Sequence, residues 1–417
     1  MHRAERFFQV LVISLLIILF SSRSQVYPGN ELERVRAYTR MIEFDYVTWT
    51  LDAIMGKTAQ GSLGASRYIT SDSAKSVVLD YLTAVDRLQV LEWEIEKIYS
   101  DPQITDPEMT ASDKLEQLHE VQTEKYRLGA LAESVLQSQV SHVIAEMGIG
   151  FLGQPMPPLL YHVTELPLSL IVSPRGVIRQ DANISLLPEL DLIQVTRLED
   201  EVAKGLDVST MVTRIGGVGV YPTMVAQSTS LPWLMETVAH EWIHNFLTLH
   251  PLGIRYDASA DLRTMNETVA SIAGKEIGTA LLELYYPEFL PPPAVPDPSV
   301  ETEPVEPLPP LFDFNSEMRI TRENADALLA EGYIVEAESY MENRRKVFWE
   351  QGYQIRKLNQ AYFAFHGAYA DTPGGAAGED PVGAAVRELR AQSPNLAVFL
   401  NRMAGMRSFE DLQAALP

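Results

Sequence analysis

The sequence predicts a mainly α-helical protein with a small β-sheet, an α+β fold. Residues 31–146 and 323–358 repeat apolar side chains every three or four positions, as amphipathic helices do. Between these regions, residues 168–225 contain short apolar runs separated by turn-forming residues, which is typical of strands. The strands therefore form a block of their own between two helical regions.

The first 24 residues indicate export. Arg3 and Arg6 precede an apolar run over residues 7–20, which is shorter than the roughly 20 residues that span a bilayer comfortably. This arrangement is typical of a signal peptide, and an uncleaved single membrane anchor is the alternative. In both cases the positive flank predicts an extracytoplasmic protein, secreted or membrane-anchored by residues 1–24.

Composition limits the partners and the sources of stability. The 417 residues are 46% hydrophobic and include no cysteine, so the stability of the two or three expected domains must come from packing rather than disulfides. The net charge of −23 argues against a nucleic-acid partner and against binding to an anionic membrane surface by charge.

Residues 25–150 are predicted to form a helical region. Its last two helices should pair as an antiparallel hairpin, because the acidic, proline-containing segment 100–112 separates two stretches of helical periodicity. The hairpin is either a stalk or arm for a partner, or a helical layer packed on the next domain.

Four apolar runs after residue 151 are predicted strands: 168–172, 183–187, 192–195 and 211–225. The last run contains Gly216, Gly217, Val218 and Gly219, followed by Pro222. Glycines admit close backbone approach, and proline fits only an edge strand or a bulge. We therefore expect these four residues to form an edge that binds an extended peptide through main-chain hydrogen bonds, with a twisted edge without ligand as the alternative.

The pattern H-E-x-x-H, formed by His240, Glu241 and His244, follows these strands. Ser230 and the proline two positions later are typical of a helix start, so we predict a helix over residues 232–249. Residues four apart share one face of a helix, so the two histidines can offer nitrogens to one tetrahedral metal. Glu241 lies about 100° around the helix, which suits a general base.

A catalytic zinc needs a third protein ligand, for which Glu267 is our candidate. If residues 266–278 are helical, the face shared with Glu267 is made of small residues that permit close helix packing: Ala270, Ser271, Gly274 and Gly278. Glu276 points the opposite way and is interpreted as a solvated charge.

H-E-x-x-H followed by N-E-x-x-A at residues 266–270 resembles the gluzincin metallopeptidases, the thermolysin-like group, in which two histidines and a downstream glutamate hold zinc. Over about residues 155–375 the chain is similar to bacterial aminopeptidase-like proteins of this group. The resemblance implies a zincin-like catalytic domain over residues 151–290 and Zn²⁺ as cofactor. Family members often carry an aspartate that orients a metal histidine, where this chain has Ser271.

Residues 291–312, rich in proline and glutamate, are predicted to be a linker or surface loop before a C-terminal helical lobe over residues 313–417. The resembling enzymes take a tyrosine or histidine from this lobe to donate a hydrogen bond to the reaction's oxyanion. His366 and Tyr369 are the candidates, and an aromatic core cluster is the alternative.

The predicted function is an exported zinc metallopeptidase that acts on a peptide or protein substrate. Zinc would polarise water and the substrate carbonyl, while Glu241 takes the water proton and passes it to the leaving amine. The alternative is an exported binding or structural protein with a non-catalytic zincin domain; hydrolysis of another bond is a third possibility.

The sequence also predicts where a peptide is cut. Related aminopeptidases place a glutamate just after their edge-strand glycines, where it holds the free amine of the substrate. Here Gly217 and Gly219 are followed by Val218 and Val220. We therefore expect internal cleavage rather than removal of N-terminal residues.

Overall fold

The computed structural model describes residues 31–63, 68–100, 104, 106–290, 312–367 and 381–416, and it confirms a mainly helical α+β fold. The predicted signal peptide or anchor and nearly all of the proline-rich linker lie outside these residues, as does Tyr369. Within the described ranges, no helix combines the length and the apolar character needed to cross a bilayer.

In the N-terminal region, the described residues form the helices α1 (Glu31–Thr39), α2 (Tyr46–Leu63), α3 (Ser71–Ser100) and α4 (Pro107–Glu146). Helices α3 and α4 form the predicted antiparallel hairpin. The side chain of Asp106 caps α4 by accepting a hydrogen bond from the Met109 N–H. Apolar residues of the hairpin share one core with the later helices, so the hairpin is a packed layer; this core includes Val78, Leu82, Val135, Val238 and Val269.

Among the described residues, six strands form two three-stranded sheets, rather than the one small sheet predicted. The strands are β1 (Tyr161–Val163), β2 (Leu168–Pro174), β3 (Ala182–Leu186), β4 (Val208–Thr213), β5 (Gly217–Val218) and β6 (Thr223–Val225). The first sheet is antiparallel in the order β3-β2-β4. The second has the order β1-β6-β5, so β5 is an edge strand, as predicted.

The strand prediction for residues 192–195 was wrong, because these residues begin helix α5 (Leu192–Leu206). Asp191 and Gln194 form a capping box at its start. The short apolar run that follows Asp191 had suggested a strand instead. Val195 and Val202 pack on one face of the first sheet. The predicted long strand 211–225 is also divided, among β4, β5 and β6.

The metal motifs lie on α6 (Leu231–Thr248) and α8 (Ala260–Tyr285), which are joined by the short helix α7 (Pro251–Ile254) and a 3₁₀ turn (Tyr256–Ala258). The small face predicted for α8 is what lets it approach α6. A Cβ atom on Gly274 would lie 2.9 Å from the Glu236 carbonyl oxygen, so a larger residue would push the helices apart.

The C-terminal region contains α9 (Phe314–Ala330), α10 (Ile334–Glu350), α11 (Gln360–His366), α12 (Pro381–Gln392), α13 (Leu396–Ala404) and α14 (Phe409–Ala415). Phe348 and Phe363 pack with Ile171 of β2, whereas α12 to α14 join the core around α8. Arg390 of α12 donates two hydrogen bonds, of 2.7 and 2.8 Å, to Glu276. Glu276 is therefore a partly exposed, ion-paired charge outside the metal cluster, and the pairing with Arg390 was not predicted.

Candidate metal centre

Two histidines on α6 and one glutamate on α8 converge where the two helices pack together. The Nε2 atoms of His240 and His244 are 3.1 Å apart. Glu267 Oε2 lies 3.5 Å from the first and 3.4 Å from the second. The potential ligand atoms of all three residues lie within 4.8 Å of one another, so the structure brings together the three predicted ligands.

This cluster fits a zinc ion. Glu267 Oε2 is buried and accepts no well-formed hydrogen bond from the described residues, which leaves its lone pairs available to a cation. Two imidazole nitrogens and one carboxylate oxygen form a donor set that catalytic zinc sites use. The three residues therefore could hold Zn²⁺.

Neighbouring side chains orient the three potential ligands. Asn266 Oδ1 lies 2.8 Å from His244 Nδ1, so it accepts the Nδ1 proton and leaves Nε2 to face the cluster. Ser271 Oγ lies 3.5 Å from His240 Nδ1. The Tyr256 hydroxyl donates a 2.5 Å hydrogen bond to Glu267 Oε1. Tyr256 was not among the predicted site residues, although a tyrosine between the two motifs was a usable signal.

Within the cluster, His244 favours its protonated form and Glu267 its ionised form. Burial acts to lower the pKa of His244, but the Glu267 carboxylate outweighs it and raises this pKa to about 9. Burial likewise opposes ionisation of Glu267, yet the charge of His244 holds the Glu267 pKa well below its ordinary value. A metal ion must compete with this proton, so metal affinity should fall as the pH falls.

Glu241 lies beside the cluster on the same helix. Its side chain is buried, and burial raises the pKa of its carboxyl, while His240 and His244 partly offset that increase. A Cβ atom on Gly217 would lie 2.5 Å from Glu241 Oε1, so β5 passes directly over this carboxyl group. A buried carboxyl with a raised pKa is suited to accept and return a proton.

Strand β5 forms one side of a cavity of about 390 Å³ that also contains Glu241, His244 and Glu267. Gly217, Val218 and Gly219 line this cavity. Gly216 lies outside the lining, against the Trp233 ring, and its carbonyl oxygen accepts a hydrogen bond from the Ala226 N–H. Because paired and unpaired positions alternate in an antiparallel ladder, the main-chain groups of Gly217 point away from β6.

His366, the predicted oxyanion donor that the structure describes, does not line the cavity. The His366 ring packs 4.3 Å from the Tyr362 ring, and burial lowers the His366 pKa to about 4. The residue of α11 that lines the cavity is Phe365. Tyr369 lies outside the described residues. The donor role of His366 and Tyr369 therefore stays a prediction.

The opposite wall of the cavity consists of residues that no sequence motif had singled out. It is made by Tyr46, Ser169, Asn183 and Ser185, which come from α2, β2 and β3. The cavity thus combines a potential metal site, a buried carboxyl, an exposed strand edge and a polar wall. Comparison of the chain with known protein families, curated proteins and solved structures found no match.

Proposed function

We propose that this chain is a zinc-dependent hydrolase of peptide bonds with a gluzincin-like, zincin-type catalytic domain. The convergence of His240, His244 and Glu267 within 4.8 Å carries the proposal. These residues would hold Zn²⁺, which supplies a Lewis acid that polarises a carbonyl group and makes water more acidic.

Glu241 would act as the general base. It adjoins His240 in the chain but is not part of the ligand cluster, and its buried carboxyl has a raised pKa. It can take a proton from water and transfer it to the leaving amine. A zinc site that only stabilises the fold has no need of this carboxyl, which favours the hydrolase over a binding or structural protein.

The edge strand favours a peptide as substrate. The outward-facing main-chain groups of Gly217 can pair with an extended peptide that lies along β5. The absence of a side chain at Gly217 lets that peptide and Glu241 come close together. We further propose that the enzyme acts outside the cytoplasm, on the strength of the N-terminal residues 1–24.

Mass spectrometry of a peptide library tests this function. Purified zinc-loaded protein should cleave library peptides. Glu241→Gln should retain zinc, but its cleavage rate should be about 10²- to 10⁴-fold lower. Equal cleavage by the variant and the wild type would exclude Glu241 as the base. Loss of zinc from the variant would instead make Glu241 part of the metal site.

A further inference from the structure

One face of the first sheet presents neutral polar side chains to the cavity. Residues 183–186 alternate between polar and apolar side chains, so consecutive residues face opposite sides of β3. Ile184 and Leu186 are buried in the core beneath α5. Asn183 and Ser185 therefore face the other way and line the cavity. With Ser169 and Tyr46 they form what we call the polar wall.

Hydrogen bonds hold the polar wall in place. Ser169 is directly opposite Ser185 in the sheet, and its hydroxyl donates to Asn183 Oδ1. The Tyr46 hydroxyl lies 2.7 Å from Ser185 Oγ. The segment before Tyr46 is fixed to β3, because the Phe44 N–H donates a 3.0 Å hydrogen bond to the Ser185 carbonyl. The wall is thus preorganised by contacts that span distant parts of the chain.

The polar wall carries no charge. Among the described residues that line the cavity, none is lysine or arginine. The lining carboxylates are Glu241 and Glu267 at the metal cluster and Asp257, which pairs with Arg263 at 3.4 Å. Burial raises the pKa of Tyr46, and the charge of Glu241 adds to this increase, so the wall lies within electrostatic reach of the proposed base.

We propose that the polar wall is a specificity subsite for a neutral, hydrogen-bonding side chain, such as serine, threonine, asparagine or glutamine, that flanks the cleaved bond. This inference rests on the proposed peptidase function. An apolar side chain would take the Asn183 amide N–H groups out of water without offering them an acceptor, and a charged one would lose water beside four side chains that are all neutral. The Asn183 amide can both donate and accept, so it suits a neutral polar partner.

Peptides that differ only at the positions flanking the cleaved bond test this preference. Wild-type protein should cleave those with a neutral polar side chain at one flanking position about tenfold faster, in kcat/KM, than those with leucine, lysine or glutamate. Asn183→Asp should shift the preference toward lysine and arginine by about tenfold, because it adds a negative charge to the wall. Thr213→Val is the control, since Thr213 lies opposite Ser169 on β4 but outside the cavity lining.

Measurements of peptide binding distinguish a failure of this inference from a failure of the proposed function. Glu241→Gln should bind the preferred peptides about tenfold more tightly than the others, as measured by fluorescence anisotropy. Cleavage without a neutral polar preference, or an unchanged preference in Asn183→Asp, would overturn the subsite and leave the peptidase standing. Selective binding without cleavage by the wild type would support the subsite and overturn the peptidase. If the protein neither bound nor cleaved these peptides, both the subsite and the peptidase function would be overturned.

Discussion

A Cβ atom on Gly217 would lie 2.5 Å from Cγ of Glu241, so the edge strand and the proposed base leave no room for another atom between them. Gly217→Ala should therefore displace the Glu241 carboxyl. Because a shift of about 1 Å in a catalytic group costs roughly a hundredfold, kcat should fall by about that factor. Zinc content should be unchanged, since no ligand side chain is touched.

Gly56→Ala provides the control for this substitution, because a Cβ atom on Gly56 would meet no atom within 4 Å. The variant should keep the wild-type kcat. If Gly217→Ala also kept it, the contact between β5 and Glu241 would have no catalytic importance.

The metal site should bind one zinc ion per chain and depend on three side chains. His240→Ala, His244→Ala and Glu267→Ala each remove one of the converging donor atoms, so each should lose zinc. Elemental analysis of the purified variants measures this. Glu276→Ala is the control: it breaks an ion pair with Arg390 but should keep its zinc. Full zinc occupancy in Glu267→Ala would contradict the ligand assignment.

Local patterns predicted the helices and the metal cluster. The spacing of His240 and His244 on one helix face, and the small residues that accompany Glu267, are features of single helices. The three side chains converge if the two helices pack together, and α6 and α8 do pack together. The α3–α4 hairpin was predictable for the same reason, because its periodicity and its turn are local.

Contacts between distant residues could not be predicted in this way. Tyr46 and Ser185 are 139 residues apart, and no local pattern indicates that their hydroxyls meet. The division of the strands into two sheets was also missed, because strand pairing depends on long-range contacts. Residues 192–195 were assigned to a strand because a short apolar run fits both helical and strand periodicity. The capping box at Asp191 instead marks the start of a helix.

In the proposed peptidase, Tyr256 and His366 are rival candidates to donate a hydrogen bond to the oxyanion. Tyr256 lines the cavity, and its one hydroxyl proton would have to turn from Glu267 Oε1 to the oxyanion, whereas the His366 ring packs against Tyr362. We therefore expect Tyr256→Phe to lower kcat about a hundredfold at saturating zinc, as loss of such a donor does. His366→Gln should change kcat little. Steady-state kinetics of both variants decide between them, and the reverse result would return the role to His366.

Peptides should be cut internally. Holding a free N-terminal amine requires a carboxylate near the edge strand, and Val218 and Val220 occupy the positions beside its glycines. Of the carboxylates in the described lining, Glu241 is the proposed base, Glu267 is a proposed metal ligand, and Asp257 is paired with Arg263. N-acetylated and free peptides should be cleaved alike, as mass spectrometry can measure. Release of single residues that N-acetylation abolishes would contradict this.

The stability of the protein should depend on the protonation of His366. Burial lowers the pKa of this residue from 6.5 to about 4, so the folded state holds it neutral while the unfolded state binds a proton more readily. Its contribution is present above pH 6.5 and is lost as the pH falls from 6.5 through about 4. Over that range the wild type should lose up to about 3 kcal/mol relative to His366→Gln, which cannot titrate. Urea unfolding of both proteins with a chelator present, so that metal release does not contribute, measures this difference. A difference that stays constant with pH would show that His366 does not titrate out of a buried site.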